Sequence, residues 1–121
     1  ARYFMTEKYK DILIAAYHSF NTRDIGAVLS LMDTNVHWPN GWEGGYVEGH
    51  EAVRNYWTRQ WKEVNPNVEP VSFKENEKGE IEVEVHQVVE DMKGNILADE
   101  MAKHVYIIED DLIKSMEIKK Q

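Results

Sequence analysis

The sequence predicts an α+β fold in which three N-terminal helices, with one short strand among them, precede a sheet of four strands. Up to about residue 64, apolar residues recur at spacings of three and four, which is typical of amphipathic helices. Beyond Pro66 they recur at every second position, which is typical of strands. The segment 104–108 is apolar on both alternating faces, so we expect helices to cover one face and a second copy of the chain to cover the other.

The composition is that of one globular domain spanning residues 1–121, with 42% hydrophobic and 30% charged residues. The net charge of −8, with basic residues scattered singly, argues against nucleic acid or an anionic membrane as a partner. No apolar run approaches the roughly 18 to 20 residues that span a bilayer, and the N-terminus lacks a secretory signal, so we expect a cytoplasmic location. The absence of cysteine excludes disulfides, thiolate chemistry and cysteine-bound zinc.

Three helices are predicted before the sheet begins. The first runs from Thr6, as its N-cap, to about residue 21. Its apolar positions are Tyr9, Ile12, Leu13, Ala16, Tyr17 and Phe20. A second, shorter helix follows the turn and cap residues 21–24 and extends to Met32, and a third runs from about residue 50 to residue 64.

One short strand is predicted among the helices and four strands after them. The short strand covers residues 36–38, and Pro39 ends it because proline cannot donate to a ladder. The later strands are predicted at residues 68–73, 81–87, 96–108 and 112–118, which gives the element order α-α-β-α-β-β-β-β.

Alternation assigns side chains to the two faces of these strands. In residues 81–87, Ile81, Val83 and Val85 are expected to point inward. On the following long strand, the set assigned to the inward face is Asp99, Met101, Lys103, Val105 and Ile107. A slip of one residue would exchange Lys103 for His104 in the interior.

The loop between the short strand and the third helix has an unusual composition. Residues 40–49 hold four of the seven glycines together with Trp42 and Tyr46. Glycine allows tight turns, and the two large rings are costly to leave in water. We therefore predict that this loop folds over a cavity as a lid, with simple core packing of the two rings as the alternative.

Four segments of the chain resemble successive blocks of one known superfamily. They are Tyr17-His18-Ser19-Phe20-Asn21-Thr22-Arg23-Asp24-Ile25, Val36-His37-Trp38-Pro39, Gly49-His50-Glu51-Ala52-Val53-Arg54 and 104–113. The superfamily is the nuclear-transport-factor-2-like one, and within it the ketosteroid isomerase and polyketide cyclase (SnoaL-like) branch. The resemblance implies a cone-shaped fold in which a curved, mixed or antiparallel sheet wraps around the three N-terminal helices. It also implies a deep apolar pocket and a dimer packed through the outer face of the sheet.

The resemblance does not carry over the acid and base residues of the ketosteroid isomerases. In that enzyme a tyrosine and a protonated aspartic acid form the oxyanion hole, and a second carboxylate moves the proton. By block alignment these positions fall on Ala16, Lys103 and Trp38, so none of the three is kept. Steroid isomerisation by that mechanism is therefore not expected.

Aromatic residues are the main candidates for ligand contacts, because flat rings stack on planar or polycyclic molecules. Each of them has core filling as its simpler interpretation. Gln87 continues the inward face of its strand and is a candidate donor to a ligand carbonyl. The predicted ligand-binding set is Tyr17, Trp38, Trp42, Tyr46, Tyr56, Trp57, Trp61, Gln87 and Met116.

The candidate acid and base are Lys103, paired with Asp99 or Glu90, and His104 if the strand slips. The simpler interpretation of the lysine and carboxylate is a structural ion pair. The other four histidines are assigned to surface, cap or outer-face positions, unless a bulge turns His37 inward. Histidine spacing suggests no metal site, and no glycine-rich phosphate loop occurs, so no metal or cofactor is expected.

These observations lead to a hypothesis with two alternatives. The protein binds a hydrophobic small molecule in an aromatic-lined pocket, with cofactor-free isomerase, cyclase or dehydratase activity. The first alternative is a non-catalytic binding or accessory protein of the same fold. The second is an oligomerisation module, which is less attractive because no other domain is attached.

Overall fold

The computed structural model describes the backbone of residues 2–120 and the side chains of residues 8–119. Three helices and six strands follow one another, which confirms the α+β class. The helices are α1 (Arg2–Asn21), α2 (Ile25–Ser30) and α3 (His50–Glu63). The strands are β1 (Met32–Pro39), β2 (Tyr46–Glu48), β3 (Val64–Glu75), β4 (Ile81–Asp91), β5 (Ile96–Glu109) and β6 (Leu112–Lys120).

The six strands form one mixed sheet in the order β2-β1-β6-β5-β4-β3. β1 runs parallel to β6, and every other neighbouring pair is antiparallel. Helix α3 contacts both β1 and β3, although three strands lie between them in the sheet. In a flat sheet these two strands would be about 19 Å apart, so the sheet curves around the helices.

Turns are made by residues that tolerate a left-handed backbone. The β5–β6 hairpin turns at Asp110 and Asp111, which have φ of 54° and 63°. Aspartate tolerates this conformation better than most residues, and two such residues in sequence form a tight hairpin. Gly79 and Gly94, with φ of 80° and 88°, make the other two turns of the meander.

Several boundaries differ from the predicted ones, at the start of α1, between α2 and β1, at both ends of β3 and at the end of β4. Helix α1 begins at Arg2, so Thr6 lies inside the helix and is not its N-cap. Met32 belongs to β1 because its neighbour Leu31 accepts a backbone hydrogen bond from Ile113, which joins this segment to the parallel ladder. Met32 is apolar because it is buried in β1, and its position three residues after Leu29 made it look like part of the helix.

The glycine-rich segment also contains a strand that the sequence did not predict. Strand β2 pairs with the end of β1, where Trp38 is the partner of Val47. It is only three residues long and two of them are exposed, so it has no alternation of buried and exposed residues by which it could be recognised. Asp24 caps α2 through a hydrogen bond from the Ala27 backbone N–H, as expected for the residues that precede this helix.

The inward face predicted for β5 is wrong by one residue. His104 lies opposite Val83 and Tyr106 opposite Ile81, and partners in register share a face of the sheet. The buried residues of this strand are Ala102, His104, Tyr106 and Ile108. Both alternating sets of β5 are largely apolar, so alternation alone does not choose between them. Burying a neutral imidazole with a partner costs less than burying the ammonium of Lys103.

Candidate ligand-binding cavity

A cavity of about 840 Å³ lies between the helices and the concave face of the sheet. Its volume falls within the range of small-molecule sites, which is about 300 to 1,000 Å³. The lining is largely aromatic. The aromatic side chains that line it are Tyr17, Phe20, Trp38, Trp42, Tyr46, Tyr56, Trp57, His104 and Tyr106.

Trp57 anchors the wall of the cavity on the helix side. Its ring meets Trp38 edge-on, with centroids 5.8 Å apart, and meets Phe20 in a similar arrangement at 5.3 Å. Only 2% of Trp57 is exposed, so it is a core residue as well as a lining residue. Edge-to-face packing of this kind is a favoured aromatic geometry and holds each ring in one orientation.

Three buried polar side chains form a hydrogen-bonded chain at the floor of the cavity. The Tyr106 hydroxyl donates to the Tyr17 hydroxyl at 2.7 Å. The Tyr17 oxygen lies 2.7 Å from Nδ1 of His104. Since Tyr17 accepts from Tyr106, its own proton is directed to His104, so Nδ1 acts as an acceptor and the ring proton lies on Nε2.

Burial keeps this chain of groups neutral. It lowers the pKa of His104 to about 4, because the imidazolium would lose its hydration. Burial, together with the neighbouring Tyr106, raises the pKa of Tyr17 well above its usual value. Burial also raises the pKa of Tyr106. At neutral pH the three groups are therefore uncharged hydrogen-bonding groups.

The Nε2–H of His104 is free to bind a ligand. No described side chain or backbone group accepts a hydrogen bond from it. The nitrogen also keeps some accessible surface, so a ligand atom can reach it. His104 lines the cavity, so this N–H faces the space that a ligand would fill. A neutral imidazole held in one tautomer is a good hydrogen-bond donor to a carbonyl or phenolic oxygen.

The structure brings eight of the nine predicted ligand-binding side chains to the cavity, and leaves one behind its wall. Trp61 does not line the cavity, which corrects its predicted position. It stacks on Trp57 at 5.7 Å, and the Arg23 guanidinium lies 4.9 Å from its ring centroid. Trp57 and Trp61 are four residues apart and so lie on the same side of α3, and this spacing does not indicate which of them lines the cavity. Trp61 therefore supports a lining residue and has no contact with the cavity.

The predicted acid and base pair does not form. Lys103 lies on the outer face of the sheet, with Nζ 3.6 Å from Oε1 of Glu82. Asp99 is exposed on the same face, and its Oδ1 lies 2.6 Å from Nε2 of His86. Both side chains point away from the cavity because β5 has the opposite alternation to the one predicted.

Of the three positions inferred by resemblance, Ala16 and Trp38 line the cavity, whereas Lys103 lies on the outer face of the sheet. Ala16 and Lys103 were assigned to the tyrosine and aspartic acid positions. The side chains that meet on the floor of the cavity are their neighbours Tyr17 and His104.

The glycine-rich loop is tied down beside the opening of the cavity. The buried Asn40 side chain accepts from the backbone N–H groups of Trp42 and Glu43, at 3.2 and 2.7 Å. Glu43 in turn pairs with Arg59 of α3 at 2.8 Å. Trp42 is 39% exposed while still lining the cavity, which places it at the rim. A lid movement of this loop stays a prediction.

Two polar lining residues were not identified from the sequence. Gln60 of α3 and Glu100 of β5 both line the cavity. Glu100 is the register partner of Gln87, which was identified, so a correct pairing of β4 with β5 would have found it. The alternation predicted for β5 would instead place Glu100 on the outer face of the sheet.

Neither a metal centre nor a membrane span is found in the described part of the chain. No group of three or more His, Asp or Glu side chains among the described residues is arranged to hold a metal ion. None of the described helices is long and apolar enough to cross a bilayer. The cytoplasmic location and the lack of a cofactor stay predictions.

The fold is that of the nuclear-transport-factor-2-like proteins, since a protein described by that name from Burkholderia pseudomallei matches it with a TM-score of 0.81 and 21% identity over 94% of this chain and 91% of that one. The chain belongs to the SnoaL-like domain family, which matches residues 13–116. This confirms the family that the sequence resembled. No curated protein matches the chain.

Solved structures with the same fold include proteins bound to small molecules. TerC, co-crystallised with polyporic acid, has a TM-score of 0.81 and 23% identity over 94% of this chain and 92% of that one. RV0760c from Mycobacterium tuberculosis, in complex with estradiol-17beta-hemisuccinate, has a TM-score of 0.78 and 17% identity over 92% of each chain. SalBIII, an epoxide hydrolase/cyclase-like enzyme with a role in pyran ring formation in the polyether salinomycin, has a TM-score of 0.79 and 18% identity over 95% and 92%.

Proposed function

We propose that this protein binds a flat, largely apolar small molecule and polarises a carbonyl oxygen of that molecule through the Nε2–H of His104. One observation carries the proposal: the hydrogen-bonded chain from Tyr106 through Tyr17 leaves the buried imidazole with its only unused proton toward the cavity. A buried donor without a partner is costly, and an oxygen of the ligand would satisfy it.

The shape and chemistry of the walls favour a ring system as the ligand. Aromatic side chains surround most of a volume that suits three or four fused rings. Stacking and edge-on contacts with Trp38 and Trp57 would hold such a molecule in one plane. Two proteins with the same fold were crystallised with ring-containing ligands, which supports this class.

Carbonyl polarisation is the opening step of cofactor-free isomerisation, aldol cyclisation and dehydration. A hydrogen bond to the oxygen stabilises the negative charge that develops on it in the enolates and addition products of such reactions. A neutral imidazole suits this role, because its N–H donates to the oxygen without a charge having to be buried in the cavity. Tyr17 and Tyr106 hold the ring in the donating tautomer and take no part in bond making.

The proposal is tested with testosterone, a rigid polycyclic enone whose ultraviolet band moves to longer wavelength when its carbonyl accepts a hydrogen bond. We expect the native protein to bind it with this red shift. His104→Leu should remove the red shift and weaken binding by about fivefold, since one hydrogen bond contributes on the order of 1 kcal/mol. His86→Leu, the same substitution on the outer face of the sheet, is the control and should change neither property. An unchanged red shift in His104→Leu would show that the oxygen binds elsewhere.

A non-catalytic binding protein is the second candidate, and one observation favours it. Among the described residues that line the cavity, the only carboxylate is Glu100, which lies four residues from His104 along β5. At about 3.3 Å per residue, the two backbone positions are about 13 Å apart, too far for them to act on neighbouring atoms. Tight binding without product formation across a panel of polycyclic and polyketide-like ketones would establish this candidate.

We further propose that the chain forms a homodimer through the outer face of the sheet. Met101 and Ile107 of β5 are 41% and 40% exposed on that face. Around them the face carries both signs of charge, with Lys103 opposite Glu84, so two copies can meet without like charges in register. We expect twice the monomer mass by light scattering, and mostly monomer after Ile107→Lys. Ile14→Lys on α1 is the control, and a native protein that is monomeric at all concentrations would refute the dimer.

A further inference from the structure

Among the described residues that line the cavity, one side chain is charged. Of the Asp, Glu, Lys and Arg residues in the described chain, Glu100 alone is among the lining residues. It lies on the inner face of β5 as the register partner of Gln87. Glu100 lines the cavity and is itself exposed, which places it at the mouth.

The two ends of the cavity therefore differ in what they can bind. The floor offers the uncharged donor of His104 to an oxygen. The mouth, about 13 Å away along β5, offers a carboxylate, which accepts hydrogen bonds and carries a negative charge. An anionic group on a ligand would meet this carboxylate, with no lysine or arginine among the described lining residues to neutralise it.

We propose that the natural ligand carries a protonated amine at the end nearest the mouth, and that Glu100 binds it. This inference rests on the proposed function, because it takes the ligand to be an elongated ring system with its oxygen at His104. An ammonium group pairs with a carboxylate through a charge-assisted hydrogen bond. The aromatic walls are compatible with a cation, because ring faces attract positive charge. The net charge of −8 also attracts cations to the protein as a whole.

Three steroids that share the ring system and the 3-keto oxygen test the inference. They are 17β-aminoandrost-4-en-3-one, testosterone and androst-4-en-3-one-17β-carboxylic acid, which carry an ammonium, a hydroxyl and a carboxylate at the same end. We expect the amine to bind about three- to tenfold more tightly than the alcohol, because an ion pair at an exposed site is a modest contribution. The acid should bind more weakly than the alcohol, and the preference for the amine should shrink at high salt.

Glu100→Gln keeps the size of the side chain and removes its charge. We expect this variant to lose the preference for the amine while its affinity for the alcohol stays within about twofold of the native value. Glu84→Gln removes one negative charge from the outer face of β4 and is the matched control, which should keep the full preference. Circular dichroism of each variant checks that it is folded.

The outcomes separate this inference from the proposed function. If the alcohol binds with the red shift but the native protein does not prefer the amine, or if Glu100→Gln keeps the preference, the assignment of Glu100 is wrong and the role of His104 stands. If none of the three steroids binds, both proposals are overturned for this class of ligand. An equal loss of preference in Glu84→Gln and Glu100→Gln would mean that overall charge, and not Glu100, selects the cation.

Discussion

We expect Trp57→Ala to lower the free energy of unfolding by about 3 to 5 kcal/mol, the range for removing a large buried aromatic side chain. Trp57 is 2% exposed and touches the rings of Phe20, Trp38 and Trp61, so the wall on the helix side has no other residue to fill its place. Urea denaturation followed by far-ultraviolet circular dichroism measures the loss. The same change enlarges the cavity, so flat ligands should also bind less tightly.

Trp42→Ala provides the matched comparison, because it removes the same side chain from the rim of the cavity. Trp42 is 39% exposed, and we expect its loss to lower stability by less than about 1 kcal/mol. Equal losses in the two variants would contradict the assignment of Trp57 to the core and Trp42 to the rim. If Trp57→Ala does not fold, Trp57→Phe should show an intermediate loss, because it leaves a smaller cavity.

The second large effect is a dependence of stability on pH that originates from His104. Its pKa is lowered to about 4 in the folded protein, from a usual value of about 6.5 in the unfolded chain. Between these values the unfolded chain binds a proton that the folded protein does not bind, so stability falls as the pH falls. Above about pH 6.5 the loss is absent, and below about pH 4 it is complete, at about 3 kcal/mol.

His104→Gln isolates this contribution, because glutamine keeps a polar side chain beside Tyr17 but cannot take up a proton. We expect the native protein to lose about 3 kcal/mol more than the variant between pH 7 and pH 4, measured by urea denaturation at each pH. His18→Gln, an exposed position on α1, is the control and should follow the native curve. Parallel curves for the native protein and His104→Gln would show that the imidazole is not held neutral by burial.

Short-range patterns in this sequence predict much of the architecture. The spacing of Leu13, Ala16 and Tyr17 predicts one face of α1, and all three are buried. The alternation of Ile81, Val83 and Val85 predicts the inner face of β4 for the same reason. In both elements a single face is apolar, so only that face can pack against the core.

The candidate site was predicted less well, because it depends on β5, where both faces are apolar. Alternation there admits two registers that differ by one residue, and each is acceptable by hydrophobicity alone. The choice decides whether Lys103 or His104, and whether Asp99 or Glu100, faces the cavity. The strand pairing selects His104 and Glu100, since they lie opposite Val83 and Gln87.

The sequence by itself determined the fold class and the aromatic character of the cavity, since these depend on residue types and on periodicity within single elements. It also determined the family, through the resemblance of four of its segments. The tertiary structure alone decided which polar groups meet inside. Tyr17 and His104 are 87 residues apart in sequence, and their contact exists only because α1 packs against the concave face of the sheet at the right register. Local propensity carries no information about such a contact, because its energy arises from long-range packing and from the low dielectric environment that packing creates.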